Sequence, residues 1–482
     1  MKRQSVGKNY FFNILNEIVS LLIPLITTPY ICSTLGAAGT GAYSVAINNV
    51  TYFAVFATLG TTVYGRREIA YKQNNKYERS VVFYELMLFR FITIVIAICA
   101  YLVYVMFFSY GILELVMILQ LISVYTDITW FYQGMEQFGK LAIRNISIKL
   151  LGVIYIFTFV KTKEDVVSYA IGFLAFSLAA NVVMLIGTKN YLCSVPVKIL
   201  RPFRHIKSAI ALFIPTIATQ LYQALDKSMI GAYTETDVEN GYYEQAQKLI
   251  RICWTFVTTF AVVMSPRIAL AYAEKRKEDL RLYVRRAYQF VWFLSIPIVF
   301  GLCAVTDNLV PWFFGAEFEK VKILLYIFSL IVLPMGLNAI GGQYLVATKQ
   351  QRVFNISVVS GTVFNFILNI FLISNFYSIG AAIASVCAEY LILFIQIIYI
   401  LKSHSFDVLD VFTGFVKYLS SGLIMFAIVK TISLFFNSKA PQTLLLVIIG
   451  GITYIGILTL LKDDMIHESI EIVKKKIGKR EI

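Results

Sequence analysis

Charge, histidine, cysteine and long polar stretches are all scarce in this chain. Of its 482 residues only 15% are charged, while 58% are hydrophobic. That balance excludes the soluble globular classes and leaves a polytopic, all-α membrane protein. The interhelical loops hold about 20 residues at most, too few for a soluble catalytic domain. Three histidines, His205, His404 and His467, lie far apart in loops or the tail, which argues against a metal site. The six cysteines (Cys32, Cys99, Cys193, Cys253, Cys303, Cys387) are scattered and mostly apolar in context. They form neither a disulfide framework nor a zinc spacing. No phosphate-binding Gly-Lys-Ser/Thr loop is present, so ATP is not the expected direct energy source. No cofactor is called for and no catalytic constellation is visible, so an enzyme is not expected.

What is there is a series of fourteen apolar stretches long enough to span a bilayer: 11–31, 41–63, 81–108, 112–132, 142–160, 166–187, 208–233, 242–272, 287–306, 323–347, 354–373, 379–401, 418–436 and 443–461. The long third, eighth and tenth of these are expected to protrude or tilt. Lys2, Arg3 and Lys8 precede the first run, as in a signal peptide. That run is too long, contains Asn13, Asn16 and Glu17, and lacks a small-residue cleavage site, so it reads as an uncleaved helix.

The net charge of +15 is a topology signal, because the basic residues recur in alternate short loops. With the N-terminus inside, the external loops hold only Lys161, Lys163, Lys320, Lys322 and Lys439. The external loop 235–239 is acidic and the cytoplasmic loop 275–286 is basic. A miscounted helix would invert every later loop. The alternation therefore predicts a multi-pass protein with both termini cytoplasmic, in contact with membrane lipids and not with nucleic acid.

An internal repeat is legible as well. Gly41-Ala42-Tyr43 aligns with Gly241-Tyr242-Tyr243 at an offset of 200, and Arg67 with Arg267. Asn145-Ile146-Ser147 recurs as Asn355-Ile356-Ser357, and Gly134 and Arg144 are spaced as Gly342 and Arg352. The repeat predicts two pseudo-symmetric lobes in the same orientation: residues 1–200 with helices 1–6 and 201–402 with helices 7–12. Residues 403–482 then hold helices 13 and 14 and a basic tail.

The chain is organised around Thr219–Ile230, TQLYQALDKSMI, inside the seventh span. At 100° per residue, Thr219, Gln220, Tyr222, Gln223, Asp226 and Lys227 share an arc of roughly 160°. A charge at membrane depth costs on the order of 3 kcal/mol or more unless it meets water, protein or a ligand. Asp226 and Lys227 point about 100° apart, so each needs its own partner. One reading is a buried structural network. The other is the wall of a polar transport cavity.

The ordered series PLITTPYICSTLGAAGTGAYS, VYGRREIA, TDITWFYQGMEQFGKLAIRN, LDKSMIGAY, GYYEQAQKL and SPRIA resembles the Wzx-type polysaccharide flippases. These belong to the multidrug/oligosaccharidyl-lipid/polysaccharide exporter superfamily, and the resemblance covers essentially the whole chain. It implies a two-lobed, fourteen-helix fold. It also implies a lipid-linked oligosaccharide substrate, usually on undecaprenyl pyrophosphate, moved from the inner to the outer leaflet of the cell membrane. Such an activity serves capsule, O-antigen or other surface polysaccharide biosynthesis, with a glycan polymerase as a candidate partner.

A bulky anionic head group needs cations that face a hydrated cavity. The substrate-binding candidates are Arg90, Lys149, Lys227, Lys248 and Arg251, with Gln220, Tyr222 and Gln223 on the wet face of helix 7. Each cation also has a structural reading. Arg90 can pair with Glu85 or Asp127. Lys149 can snorkel to the cytoplasmic surface. Glu244, Gln247, Lys248 and Arg251 at spacings 0, 3, 4 and 7 can form a helix-end salt-bridge face. The repeat sets Asn48 opposite Lys248, Thr51 opposite Arg251 and Thr27 opposite Lys227. Asn13, Asn16, Asn365 and Asn369, with Tyr52 and Tyr222, are candidates for sugar contacts, and the asparagines equally suit helix–helix packing. Asp226 is the candidate for a coupling ion, H⁺ or Na⁺. Two other readings remain: a cation-coupled multidrug exporter of the MATE type, which a cationic cavity disfavours, and a membrane polysaccharide polymerase or ligase, which short external loops disfavour.

Overall fold

In a computed structural model the structure describes residues 6–108, 111–402 and 407–467; the side chains of residues 6–14, 214–223 and 262 lie outside that description. All regular structure among the described residues is helical. The chain forms two compact units, Met1–Gly241 and Tyr242–Ile482.

In the first unit, α1 (Val6–Thr58) carries the first two predicted spans as one helical run. Gly36, at φ 70° and ψ −177°, divides it. That left-handed φ is open to a residue without Cβ, and the Thr40 hydroxyl donates to the Gly36 (2.9 Å) and Ala37 (3.1 Å) carbonyls to restart the second half. Next come α2 (Thr61–Tyr71), which continues past the second predicted span, and α3 (Lys76–Phe108). The fourth predicted span is in three pieces, α4 (Ile112–Val116), α5 (Ile118–Thr126) and α6 (Thr129–Gly134). The α5–α6 break is chemical: Asp127 Oδ1 accepts from the Thr129 N–H (2.9 Å) and hydroxyl, a turn that competes with the helix. Then follow α7 (Phe138–Phe159), α8 (Val166–Gly187), a linker of short 3₁₀ turns, and α9 (Ile206–Tyr233).

The linker is tied down by one carboxylate. Glu85 of α3, fully buried, accepts from the Arg201 N–H (2.8 Å), from His205 Nε2 (2.9 Å) and from the Arg204 guanidinium (2.5 Å). Below it, Phe83, Trp130, Phe131 and Tyr132 form an aromatic core with Tyr64 and Ile69. α9 packs on α1 and α2. The compact unit therefore closes after residue 241, whereas the sequence repeat restarts near 201; the first boundary follows packing and the second follows internal similarity.

In the second unit, α10 (Val238–Ala273) starts just before the boundary and is followed by α11 (Lys277–Phe313). The tenth predicted span is broken into α12 (Val321–Ser329) and α13 (Val332–Ala347). Pro334 explains the break, because it has no N–H for the Leu330 carbonyl; the Tyr390 hydroxyl donates to that carbonyl instead (3.3 Å). The remaining helices are α14 (Gln351–Phe376), α15 (Ser378–Lys402), α16 (Val408–Val411), α17 (Phe415–Ser433) and α18 (Ala440–Leu460). Trp292 Nε1 of α11 donates to the Val411 carbonyl (2.7 Å), and the Tyr454 hydroxyl of α18 to the Phe293 carbonyl (2.9 Å).

Among the described residues, twelve stretches have the length and apolarity of a membrane span. The first, Leu15–Tyr71, holds the two long halves of α1 joined at Gly36 together with the short α2, and α9 adds a further 28 residues, so fourteen long helices among the described residues stand where the sequence predicts fourteen. Large apolar side chains such as Phe107, Leu434, Phe435 and Leu460 are exposed, as a lipid-facing surface requires.

Candidate functional site

Within the first unit, a cavity of about 530 Å³ opens between α1, α3 and α9. Asn48, Asn49 and Tyr52 line it from the second half of α1, Tyr104 and Phe108 from α3, Lys227 and Ser228 from α9, and Asp237 from the turn after α9. Asn48 and Tyr52 lie one helical turn apart, so both reach α9. Asn48 Nδ2 donates to Ser228 Oγ (2.9 Å) and to the Ala224 carbonyl (3.2 Å), and the Tyr52 hydroxyl lies 2.9 Å from Ser228 Oγ. Asn49 Nδ2 donates to Glu114 Oε1 (3.2 Å). Glu114 is buried and also takes the Tyr101 hydroxyl at Oε2 (2.6 Å). Burial pushes the Asp237 carboxyl above its ordinary value.

Lys227 is half-buried on this wall, six residues before the last residue of α9, or about 9 Å from that end at 1.5 Å per residue. Asp226 beside it is 4% exposed. The wall therefore presents amide, hydroxyl and ammonium groups to an anionic or hydroxyl-rich ligand, with both Asn48 Nδ2 hydrogens already given to Ser228 and Ala224.

The other sequence candidates lie elsewhere. The side chains of Gln220, Tyr222 and Gln223 fall outside the described residues. Arg90 is buried and spends its terminal nitrogens on backbone: it donates to the Asp127 (2.8 Å) and Val124 (3.0 Å) carbonyls where α5 ends. The Asp127 carboxylate instead pairs with Arg144 (3.3 Å). Lys149 donates to Ser20 Oγ of α1. Neither Arg90 nor Lys149 lines the cavity. In the second unit Lys248 pairs with Glu244 (3.5 Å), while Arg251 is exposed. Sequence reasoning missed Ser228, Asn49, Glu114 and Asp237. The signal for Asn49 and Glu114 was their polarity inside otherwise apolar spans.

A family profile described as "Polysaccharide biosynthesis protein" matches residues 6–272, more than half of the chain. The chain belongs to that family. It is a membrane protein of the multidrug/oligosaccharidyl-lipid/polysaccharide exporter superfamily. A second profile, MatE, matches residues 211–371. Among curated relatives, a putative O-antigen transporter of Escherichia coli is 20% identical over 82% of this chain and 97% of its own length. The probable low-salt glycan biosynthesis flippase Agl15 of Haloferax volcanii is 26% identical, and the match spans 36% of this chain and 36% of that relative. Among solved structures, the lipid II flippase MurJ in an inward closed conformation has a TM-score of 0.73 at 16% identity, covering 95% of this chain and all of the other. An inward-facing MATE family transporter has a TM-score of 0.57 at 14% identity, covering 80% and 98%. This family member therefore has the fold shared by MurJ and the MATE transporters.

Proposed function

We propose that this protein is a flippase for a polyprenyl-pyrophosphate-linked oligosaccharide, moving it from the inner to the outer leaflet of the cell membrane by alternating access for surface polysaccharide biosynthesis. The observation that carries the reading is the cavity wall of Asn48, Tyr52, Lys227 and Ser228: neutral donors and acceptors for sugar hydroxyls, and one ammonium for the anionic head group. Lys227 is the leading substrate contact, with Gln220, Tyr222 and Gln223 on the same helix. Lys248 and Arg251 are contributors from the second unit. Asp226 is the candidate for H⁺ or Na⁺ coupling in the first unit. Both termini are cytoplasmic, and a glycan polymerase receives the product. The names of the curated relatives, a glycan biosynthesis flippase and an O-antigen transporter, support transport and not catalysis.

The MATE-type reading has its own support in the MatE match over residues 211–371. One experiment separates the two. Full-length protein in liposomes is supplied with a fluorescent lipid-linked oligosaccharide in one arm and with ethidium in the other. Transport of the glycan lipid, lowered in Lys227→Gln, is expected. Ethidium transport without movement of the glycan lipid overturns the flippase reading.

A further inference from the structure

One polar stripe runs along α15. Ser378, Ser385, Glu389 and Gln396 recur at spacings of 7, 4 and 7, which at 100° per residue keeps them within about 40° of one another. All four are buried, Glu389 at 7% exposure. Uncharged polar groups extend the stripe in both directions. On the Ser385 side, Asn365 Nδ2 donates to Ser385 Oγ (3.4 Å), Asn369 Nδ2 donates to Asn365 Oδ1 (3.1 Å), and the Tyr243 hydroxyl lies 3.5 Å from Ser385 Oγ. On the other side, Gln396 Nε2 donates to Ser357 Oγ (3.2 Å). Gln396 Oε1 and the Tyr288 hydroxyl are both buried without a hydrogen-bond partner among the described residues. The two converge on Gly341, where an added Cβ would come 2.4 Å from the first and 3.3 Å from the second.

At the middle of this file sits the carboxyl group. Its hydrogen-bond partner among the described residues is Asn338 of α13, whose Nδ2 donates to Oε2 (2.8 Å) and to the Glu389 carbonyl (3.0 Å). No ion pair joins Glu389 to any described cation. α15 packs on α12, α13 and α14, and Tyr243 of α10 reaches its Ser385. Of the charged groups that follow Tyr243 on α10, Lys248 pairs with Glu244 (3.5 Å) and Arg251 is exposed. α13 has no charged residue and one titratable group, Tyr344. α14 has only Arg352, at its first turn. α12 has Tyr326 and Lys322, and the lysine pairs with Glu319 (2.5 Å). On α15 itself Lys402 is 13 residues away, about 20 Å along the axis. Cys387 is exposed, and the Tyr390 and Tyr399 hydroxyls donate to the Leu330 carbonyl and to Gln350. A carboxylate at membrane depth with no cation is costly, and a proton removes that charge.

A second observation points the same way. Asn338 Oδ1 is buried with no hydrogen-bond partner among the described residues. An ionised carboxylate can only accept, whereas the protonated acid has an O–H to give. With the proton on Glu389, a turn of the Asn338 amide brings Oδ1 to that O–H, in exchange for the Nδ2 bonds to Oε2 and to the Glu389 carbonyl.

We propose that Glu389 is a proton-binding site of the second unit, loaded and unloaded along the polar file of α15 as the transporter cycles. The step is a plain protonation: the carboxylate takes a proton from one side of the membrane and releases it to the other. The coupling role rests on the transport reading above; proton binding itself does not, and the test is divided accordingly.

Infrared difference spectra of the full-length protein, taken across a pH titration without substrate, report protonated carboxyl groups directly. A buried carboxylic-acid band that titrates and vanishes in Glu389→Gln, but persists in Glu114→Gln, is expected. In Asn338→Ala the same band should move in position or midpoint, which keeps the assignment testable if Glu389→Gln folds poorly. A spectrum unchanged in both the Glu389 and Asn338 variants overturns the proposal. In liposomes with a lipid-linked oligosaccharide, an imposed pH gradient should speed the wild type several-fold and leave Glu389→Gln unaffected. A variant that keeps the full gradient response overturns the coupling role. Wild-type protein that moves no glycan lipid rejects the flippase reading, and the infrared titration still decides the proton site.

Discussion

Gly41 and Gly241, equivalent at an offset of 200 residues in the sequence, lie against each other in the first unit. A Cβ on Gly41 would stand 1.8 Å from the Asp237 carbonyl oxygen and 3.0 Å from the Gly241 nitrogen; one on Gly241 would stand 2.3 Å from the Ala37 carbonyl oxygen. Backbone cannot move aside as a flexible side chain can, so both positions exclude any Cβ. Gly41→Ala and Gly241→Ala should each destabilise by about 1–3 kcal/mol, the usual cost of overpacking. Gly456 of α18 has open space around it, and Gly456→Ala should hold or slightly raise stability, since alanine favours helix. Melting temperatures of the purified variants check this; equal shifts at all three positions would contradict it.

His205 gives a pH dependence. Burial, the largest influence, holds its imidazole below the ordinary value, against the opposing pull of Glu85. The neutral ring suits its partners: Nε2–H donates to Glu85 (2.9 Å), and Nδ1 accepts from the Tyr64 hydroxyl (2.9 Å). A group depressed in the folded state binds fewer protons there than when unfolded, so its contribution is complete above the unfolded value of about 6.5 and is lost as pH falls through the folded one. Wild-type melting temperature should therefore drop on acidification below about pH 6.5, and His205→Gln should flatten that acid limb. Parallel curves for the two proteins would remove His205 from the account.

Arg90 and Lys227 are both cations at membrane depth, yet they should fail differently. Arg90 closes the end of α5 by donating to the Val124 and Asp127 carbonyls. Arg90→Gln strands those acceptors, and each unsatisfied buried group costs about 1–3 kcal/mol. Melting temperature and yield should fall together with export. Lys227 faces the cavity, so Lys227→Gln should lower export about tenfold, equivalent to about 1.4 kcal/mol, with melting temperature nearly unchanged. Export and stability measured side by side decide the matter; a large stability loss in Lys227→Gln with normal export per folded molecule would make it a structural lysine.

Helix number was legible because apolar length is written directly in the residues, and the glycine pair of the repeat was legible because it recurs at a fixed offset. Breaks inside spans were less so. The α12–α13 break follows from Pro334, a visible signal, but the one at Asp127 depends on a side chain choosing its own backbone over the helix. The site was legible in part. Lys227 stood out as a charge in an apolar run, whereas Ser228 did not, since an isolated serine in a helix is unremarkable until Asn48 and Tyr52 are seen to meet it. Arg90 shows the converse: the cation was visible, but not that two backbone carbonyls would claim it. The stripe of Ser378, Ser385, Glu389 and Gln396 could have been read from spacing alone.

Orientation can be tested at two exposed positions. Glu235 follows α9 in an acidic turn, and Lys277 opens α11 in a basic one. Lysine and arginine are retained on the cytoplasmic side of short loops, while acidic residues carry little orientation signal. The proposed topology places Glu235 outside and Lys277 inside, separated by the single passage of α10. On a cysteine-free background, Glu235→Cys in intact cells should react with a membrane-impermeant thiol reagent, and Lys277→Cys should react only after the membrane is opened. Both positions are exposed, so accessibility within the protein does not confound the comparison. Labelling of Lys277→Cys from outside, with Glu235→Cys protected, would invert the topology and place the Lys227 cavity in the cytoplasmic half of the membrane. Labelling of both from the same side would mean that α10 does not cross, and the count of fourteen spans would fall.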